Sequence, residues 1–402
     1  RMLLVLQDPT PQELEAKELG DQYEEKTAPP WVIDRQQFKT DYVGYLDRRR
    51  THIYLLDPSS KEVTQLTSGD FDDYDPAWSP DGTRIAFTSN RTENPDDNYN
   101  TDIWVVAADG GEPSRVSDNP GPDESPAWSP DGTQIAHTSS IDLDAILYAT
   151  VHLAISAADG SGTRILSKDL DRMIFQPEFS SSGKHVWFLL EDSGEQNLAR
   201  IRPGGGEIER LIQGQSVVSE FMVAGDGSIA AIVSNPHLPR EVFTLTDGKL
   251  AQKTFTNREL LAGVELGEVI EVQFNSNDGT AIEGFVIKPP GFAEGKRYPA
   301  ILDIHGGPQS QYDFSFSADA QLWAANGYLV IHPNPRGSTG YGQEFCMGIW
   351  QDWGGIDSED VLAAVDDAID RGWADPDKLA VTGWSYGGIL TNHITVSYTH
   401  LR

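Results

Sequence analysis

The chain has 402 residues, 38% of them hydrophobic, with 38 Gly and 24 Pro, which is the composition of a turn-rich globular protein with room for two or more cores. Its 62 acidic against 30 basic residues give a formal charge of -32, a field that repels nucleic acid and anionic lipid and excludes both as partners. No apolar run reaches the roughly 18 residues a membrane-spanning helix needs. Cys346 is the single cysteine, so no internal disulfide can form, and we expect it to be a buried structural thiol.

The chain opens on Arg1, with no charged n-region and apolar h-region behind it, which predicts a processed chain or a fragment. The cytoplasm is the expected compartment, and oligomeric state is left open. Residues 2–7 read as a strand and residues 11–25 as a short acidic helix or loop. Glu24 and Glu25 form a carboxylate pair that could grip a peptide amino terminus, but a solvated charge run is the preferred reading.

Residues 41–256 change to short alternating strands between turn residues, and a unit recurs. Asp75-Pro-Ala-Trp78-Ser-Pro-Asp-Gly82 returns as Ser125-Pro-Ala-Trp128-Ser-Pro-Asp-Gly132, an offset of 128 - 78 = 50 residues. Weaker copies begin at Phe179 and Val223. A period of about 40 to 50 residues with several strands per unit indicates propeller blades. Ser-Pro-Asp-Gly supplies the tight turn, and the aromatic residue before it is expected to pack between adjacent sheets. Four blades are predicted, at 75–117, 125–167, 176–212 and 219–254, with residues 51–67 as outer strands of one before them. His137 and His152 are expected to be packing or surface residues. The acidic turn 70–75 matches no calcium loop, so no metal and no cofactor is expected.

Near Gly263 the pattern changes again. Residues 269–274 and 282–288 alternate around Asn277-Asp278-Gly279, a hairpin signal. The largely apolar runs 300–304, which includes Asp303, and 328–331, with a helix-like stretch between them, indicate a parallel sheet buried on both faces. An amphipathic helix over 357–370 follows, with Asp357 expected as its N-cap. Next comes Lys378-Leu-Ala-Val-Thr-Gly383-Trp-Ser385-Tyr-Gly387-Gly388, a β-branched run entering Gly-x-Ser-x-Gly and then a helix start. That is the pattern of a nucleophile elbow, and Ser385 is the predicted nucleophile. The hydroxyl must stand clear of the backbone for a base to reach it, while Gly383 and Gly387 leave room for the strand and helix to meet. The helix start turns its free N–H groups and positive dipole end toward a developing oxyanion.

Together, the Trp-Ser-Pro-Asp-Gly repeats, His305-Gly306-Gly307-Pro308, Pro335-Arg336-Gly337-Ser338-Thr339-Gly340-Tyr341-Gly342, Asp352-Trp353-Gly354-Gly355 and the elbow resemble the prolyl oligopeptidase family of serine peptidases, its acylaminoacyl-peptidase branch above all. The resemblance implies an incomplete β-propeller over residues 1–262, followed by an α/β-hydrolase domain over 263–402 that is truncated after the elbow. It implies a Ser-Asp-His peptidase acting on oligopeptides through an acyl-enzyme. It also implies that the main-chain N–H groups of Tyr386 and Gly307 form the oxyanion hole, which agrees with the usual one donor after the nucleophile and one from the loop after the third strand. His305 is implied to shape that loop and not to act as base.

The departure lies downstream. Hydrolases of this fold place Asp or Glu and then His after the elbow, whereas 402 - 385 = 17 residues follow Ser385, none of them acidic. His393 and His400 sit on the helix that leaves the elbow and cannot serve as base, and residues 396–402 do not resemble the family's continuation. The expectation is therefore a fragment lacking both ends and inactive alone. Two alternatives to a peptidase are a propeller binding protein with a degenerate hydrolase domain and an esterase on the same machinery.

Overall fold

A computed structural model describes residues 1–24, 27 and 30–397. Glu25 of the carboxylate pair, His400 and the ending 398–402 lie outside the described residues. The chain divides into two compact units, Arg1–Leu143 with Leu153–Leu166, and Asp144–His152 with Ser167–Arg402. The division into these units runs through the repeats.

In the first unit, two four-stranded antiparallel sheets follow the repeat: Asp73–Trp78, Arg84–Ser89, Asp102–Ala107 and Ser114–Arg115, then Asp123–Trp128, Gln134–Ser140, Val151–Ala157 and Thr163–Ile165. A three-stranded sheet precedes them. There Met2–Gln7 pairs antiparallel with Thr51–Leu56, which pairs with Val63–Gln65. The N-terminal strand therefore supplies the partner that residues 51–67 require. The acidic stretch after it is a helix, Pro11–Leu19, started by a capping box between Thr10 and Glu13.

The repeat motif behaves as its chemistry dictates. In the first copy, Ser79 N–H donates to the Arg84 carbonyl (2.9 Å), and Asp81 Oδ1 accepts from the Ser79 hydroxyl (2.7 Å) and from the Thr83 amide (3.0 Å). Those donors hold the Asp81 carboxyl down to about 2. Gly82 and Gly132 adopt φ of +68° and +69°, open to glycine at little cost. Trp128 packs on the preceding sheet among Ala86, Ile103 and Val105, and its Nε1 donates to the Ala77 carbonyl (3.1 Å). Trp78 packs on Ile53 of the preceding sheet and on Ile85 and Phe87 of its own. Just upstream, Asp75, Ser125 and Gln176 take φ near +50°, each before a proline and at a break in strand register. Proline has no N–H for the ladder, and a β-bulge absorbs the interruption.

In the second unit the last two repeats form one eight-stranded sheet, joined where Gln196 pairs in parallel with Val217. The hydrolase sheet has five strands in the order Val269–Asn275, Ala281–Ile287, Leu329–Asn334, Tyr298–Ile304, Ala374–Gly383. The first two form the expected hairpin around Gly279, and the last three run parallel. Leu302, Ile304, Leu329 and Ile331 bury one face against Val361 and Val365 of helix Ile356–Asp370 and Leu390 and Ile394 of helix Tyr386–Ser397. Ile287 and Val330 bury the other against Ala320 and Ala324 of helix Ala318–Ala325. One expectation needs correction: Asp357 is the second residue of its helix, not the N-cap, which is Gly355. Its carboxylate is fully buried and points back to the loop before the helix. His137 and His152 are buried, and burial holds both imidazoles below their ordinary values. Cys346 is buried with its thiol pushed up to about 12, as suits an inert structural cysteine.

Among the described residues no helix is long and apolar enough to cross a membrane, and no group of three or more potential ligands is placed to hold a metal.

Candidate active site

Strand Ala374–Gly383 ends at Gly383, and helix Tyr386–Ser397 begins three residues later. Ser385 occupies the turn with φ +56°, a left-handed conformation costly for a residue with a Cβ, and its side chain is exposed. The turn is closed by Gly387 N–H donating to the Trp384 carbonyl (2.9 Å) and Ile389 N–H to the Ser385 carbonyl (3.0 Å). The two glycines are required by space. A Cβ on Gly387 would stand 2.0 Å from the Ile304 carbonyl oxygen, and one on Gly383 2.5 Å from the Gly387 backbone.

The third-strand loop runs beside this turn. A Cβ on Gly306 would lie 3.1 Å from the Trp384 carbonyl oxygen and 3.4 Å from Ser385 Cβ, so Gly306 is what lets the loop approach the serine. Gly307 follows with φ +121°. Neither Gly307 N–H nor Tyr386 N–H donates to a backbone carbonyl among the described residues, and Tyr386 is among the helix's first amides, which have no acceptor within the helix. The structure thus brings Ser385, Tyr386 and the His-Gly-Gly-Pro loop together.

His305 is buried beneath that loop, with Nδ1 2.7 Å from the Gly306 carbonyl and Nε2 2.9 Å from Ser338 Oγ. Burial lowers its pKa to about 4, so the ring is neutral near pH 7 and ties the loop to the Pro335-Arg336 segment. His393 lies against Gly354, whose added Cβ would meet Nδ1 at 3.0 Å. Ser385 Oγ has no hydrogen bond with a histidine or carboxylate among the described residues.

Three supporting roles, those of Asp357, Trp353 and Arg336, are not evident in the sequence. The Tyr386 hydroxyl donates to Asp357 Oδ2, and the same carboxylate accepts from Gly354 N–H (2.9 Å) and Ser358 N–H (2.9 Å). Burial and the adjacent Asp357 carboxylate raise the Tyr386 phenol well above its ordinary value, so it stays a donor. The Trp353 ring meets Tyr386 edge-on at 5.1 Å and donates through Nε1 to the Tyr148 hydroxyl (2.9 Å). The Asp-Trp-Gly-Gly motif therefore builds the floor under the elbow helix. Arg336, buried, binds Asp360 through Nε (2.9 Å) and Nη2 (2.6 Å) and Asp278 through Nη1 (2.5 Å), which fixes the next loop. The signal for Asp357 and Asp360 was present as acidic residues on the apolar face of a helix, positions that demand partners.

Both ends of the chain resemble known proteins. The profile of the prolyl oligopeptidase family matches residues 314–401, and that of the dipeptidyl peptidase IV N-terminal region matches residues 4–140. The uncharacterized peptidase YuxL of Bacillus subtilis (strain 168) is 35% identical over 92% of this chain and 59% of its own length. Dipeptidyl-peptidase 5 of Porphyromonas gingivalis is 31% identical over 78% of this chain and 46% of its own. The chain thus spans about half the length of the curated relatives it matches. Among solved structures, the acylaminoacyl peptidase of Pyrococcus horikoshii superposes with a TM-score of 0.78 at 22% identity, covering 94% of this chain and 59% of that one. At that identity the likeness speaks for the fold, a propeller joined to a hydrolase. With both profiles matched and the elbow and its loop in place, this chain resembles the prolyl oligopeptidase family of serine peptidases.

Proposed function

We propose that the protein carrying this chain hydrolyses peptide bonds of oligopeptides through an acyl-enzyme on Ser385. The observation that carries the reading is the strained, exposed serine at φ +56° with the glycine loop against its Cβ. In this reading Ser385 Oγ attacks the carbonyl carbon, and the main-chain N–H groups of Tyr386 and Gly307 stabilise the negative oxygen that develops. A base takes the serine proton and returns it to the leaving amine, oriented by an acid. We assign that base and acid to sequence outside this chain, since no described histidine or carboxylate hydrogen-bonds Ser385 Oγ and the chain spans 59% of the first relative's length. On this reading the 402 residues alone turn over slowly or not at all. We place the functional boundary between repeats and hydrolase near Gly263, between the last repeat strand Lys249–Gln252 and the first hydrolase strand Val269–Asn275.

A fluorophosphonate probe applied to the native full-length polypeptide tests this. The expected result is one probe per chain, located at Ser385 and absent from Ser385→Ala, together with cleavage of oligopeptide amides. An intact protein that stays unlabelled overturns the proposal, and labelling with ester but no amide cleavage redirects it to an esterase.

A further inference from the structure

The loop that carries Gly307 is held by something far from it in sequence. In the same unit, the hairpin joining Val186–Asp192 to Glu195–Ile201 turns at Ser193 and Gly194, whose φ angles are +48° and +73°. Its tip is seated among residues 310–316 and 339–340. Ser193 N–H donates to the Gly340 carbonyl (3.0 Å), Gly194 N–H donates to Gln311 Oε1 (3.0 Å), and Phe314 N–H donates to the Gly194 carbonyl (2.8 Å). Gln311 Nε2 in turn donates to the Glu195 carbonyl (3.4 Å). The seat leaves no slack: a Cβ on Gly194 would stand 2.6 Å from Phe285 Cζ, and one on Gly340 2.3 Å from Gln311 Oε1. Phe285 and Phe314 meet edge-on at 4.9 Å beneath it.

These contacts connect to the oxyanion loop in a few steps. Gln311 is four residues after Gly307 (311 - 307 = 4). Between them Ser310 N–H donates to the Pro308 carbonyl (2.8 Å), and the Ser310 carbonyl accepts from Thr339 N–H (3.0 Å). A loop with consecutive glycines at 306 and 307 has many backbone states available, and holding one of them costs conformational entropy. Gln311 supplies the restraint, because one amide group both accepts from and donates to the hairpin and so fixes its own position.

We propose that Gln311, clasped by the repeat hairpin 192–195, is a positioning residue that sets where the Gly307 N–H stands relative to Ser385. This rests on the reading of Gly307 as an oxyanion donor. Its effect falls on the transition state, where the donor must lie within a few tenths of an ångström of the oxyanion, more than on the ground state.

The test pairs kinetics of the full-length polypeptide with amide hydrogen exchange over residues 306–311, in Gln311→Leu and Gln311→Glu. Leu removes both hydrogen bonds at similar volume, whereas Glu keeps an acceptor for Gly194 and loses the donor. Expected for Gln311→Leu are a kcat lower by about ten- to a hundredfold with KM within about twofold, and faster exchange confined to 306–311. Gln311→Glu should fall between it and the wild type, and it serves alone if the Leu variant does not fold. A folded variant with wild-type kcat and wild-type exchange overturns the proposal. If the wild type itself neither cleaves nor labels, the nucleophile reading fails instead, and exchange alone then decides whether Gln311 restrains the loop.

Discussion

Two short motifs, the Ser-Pro-Asp-Gly turn of the repeats and the Gly-Trp-Ser-Tyr-Gly elbow, use glycine for opposite reasons. Gly82 sits at φ +68° with nothing within 4 Å of an added Cβ, so the turn needs its backbone angle and nothing else. At the elbow, an added Cβ on Gly387 or Gly383 would meet backbone atoms at 2.0 to 2.8 Å, so there the need is room between strand and helix. The bonds differ in the same way. The hydrogen bonds that shape the turn run among residues 79–84, while the elbow packs against Ile304 and the loop at 305–307 and bonds Asp357. The turn is a local structure repeated, and the elbow is a junction of distant segments.

Alanine at the two kinds of glycine should separate these cases most sharply. Gly387→Ala forces its Cβ into the Ile304 carbonyl, which the paired strand cannot yield, and should cost about 3 kcal/mol or more. It should also slow probe labelling of Ser385 by about a hundredfold, as expected for a nucleophile displaced by about 1 Å. Gly82→Ala should cost about 1 kcal/mol for the left-handed angle alone and leave labelling unchanged. Equal losses of stability in thermal or denaturant unfolding would show that the contrast of space against angle is wrong.

The elbow's dependence on Asp357 gives a smaller effect. Tyr386→Phe removes one of the donors to a fully buried carboxylate while Gly354 and Ser358 amides remain. The expected loss is about 2 kcal/mol, the range for a hydrogen bond to a buried charge. Chemical denaturation read by tryptophan fluorescence measures it. A loss below the error of the method would mean that Asp357 is satisfied without the phenol, and that the Asp-Trp-Gly-Gly loop supports the helix by packing alone.

This difference between local and junction structure also decides what could be read from the sequence. The repeat sheets were legible because Trp78 and Trp128, fifty residues apart, each announce a strand, a turn and a packing partner within a few residues. Met2–Gln7 was recognised as a strand, but its place beside Thr51–Leu56 was not, since more than forty residues of chain intervene and antiparallel pairing leaves no mark over that distance. Ser385, Gly383 and Gly387 were legible because the elbow's steric demand falls on the motif itself. Asp357 was misread as a helix cap, since an acidic residue at a helix start ordinarily meets its own helix, and the competing partner, Tyr386, lies 29 residues ahead. Gln311 and the hairpin at 192–195 left no signal, because the hairpin groups that the Gln311 side chain meets are main-chain ones that every residue type carries.

Proton binding offers the finest separation, through Glu191 near the junction and Asp81 in the turn. Glu191 is raised to about 7, first by burial and then by the nearby Asp313 charge, with the Thr339 hydroxyl opposing. One of its oxygens has no hydrogen-bond partner. Its folded pKa exceeds the unfolded one, so the native state holds the proton longer, and ionisation costs stability as pH rises from about 4.5 through 7. Glu191→Gln should therefore be more stable than the wild type at pH 8, by on the order of 1 to 2 kcal/mol, with the difference vanishing near pH 4. Asp81 has the opposite sign, because its local donors lower it to about 2. The stability it lends is whole above about pH 4 and is lost as pH falls through 2, so Asp81→Asn should leave the curve above pH 4 flat relative to the wild type. A Glu191→Gln difference that is constant with pH would mean that the carboxyl is hydrated in the folded protein. The hairpin would then meet the loops at 310–316 through water and not through the dry contact that the Gln311 clasp requires.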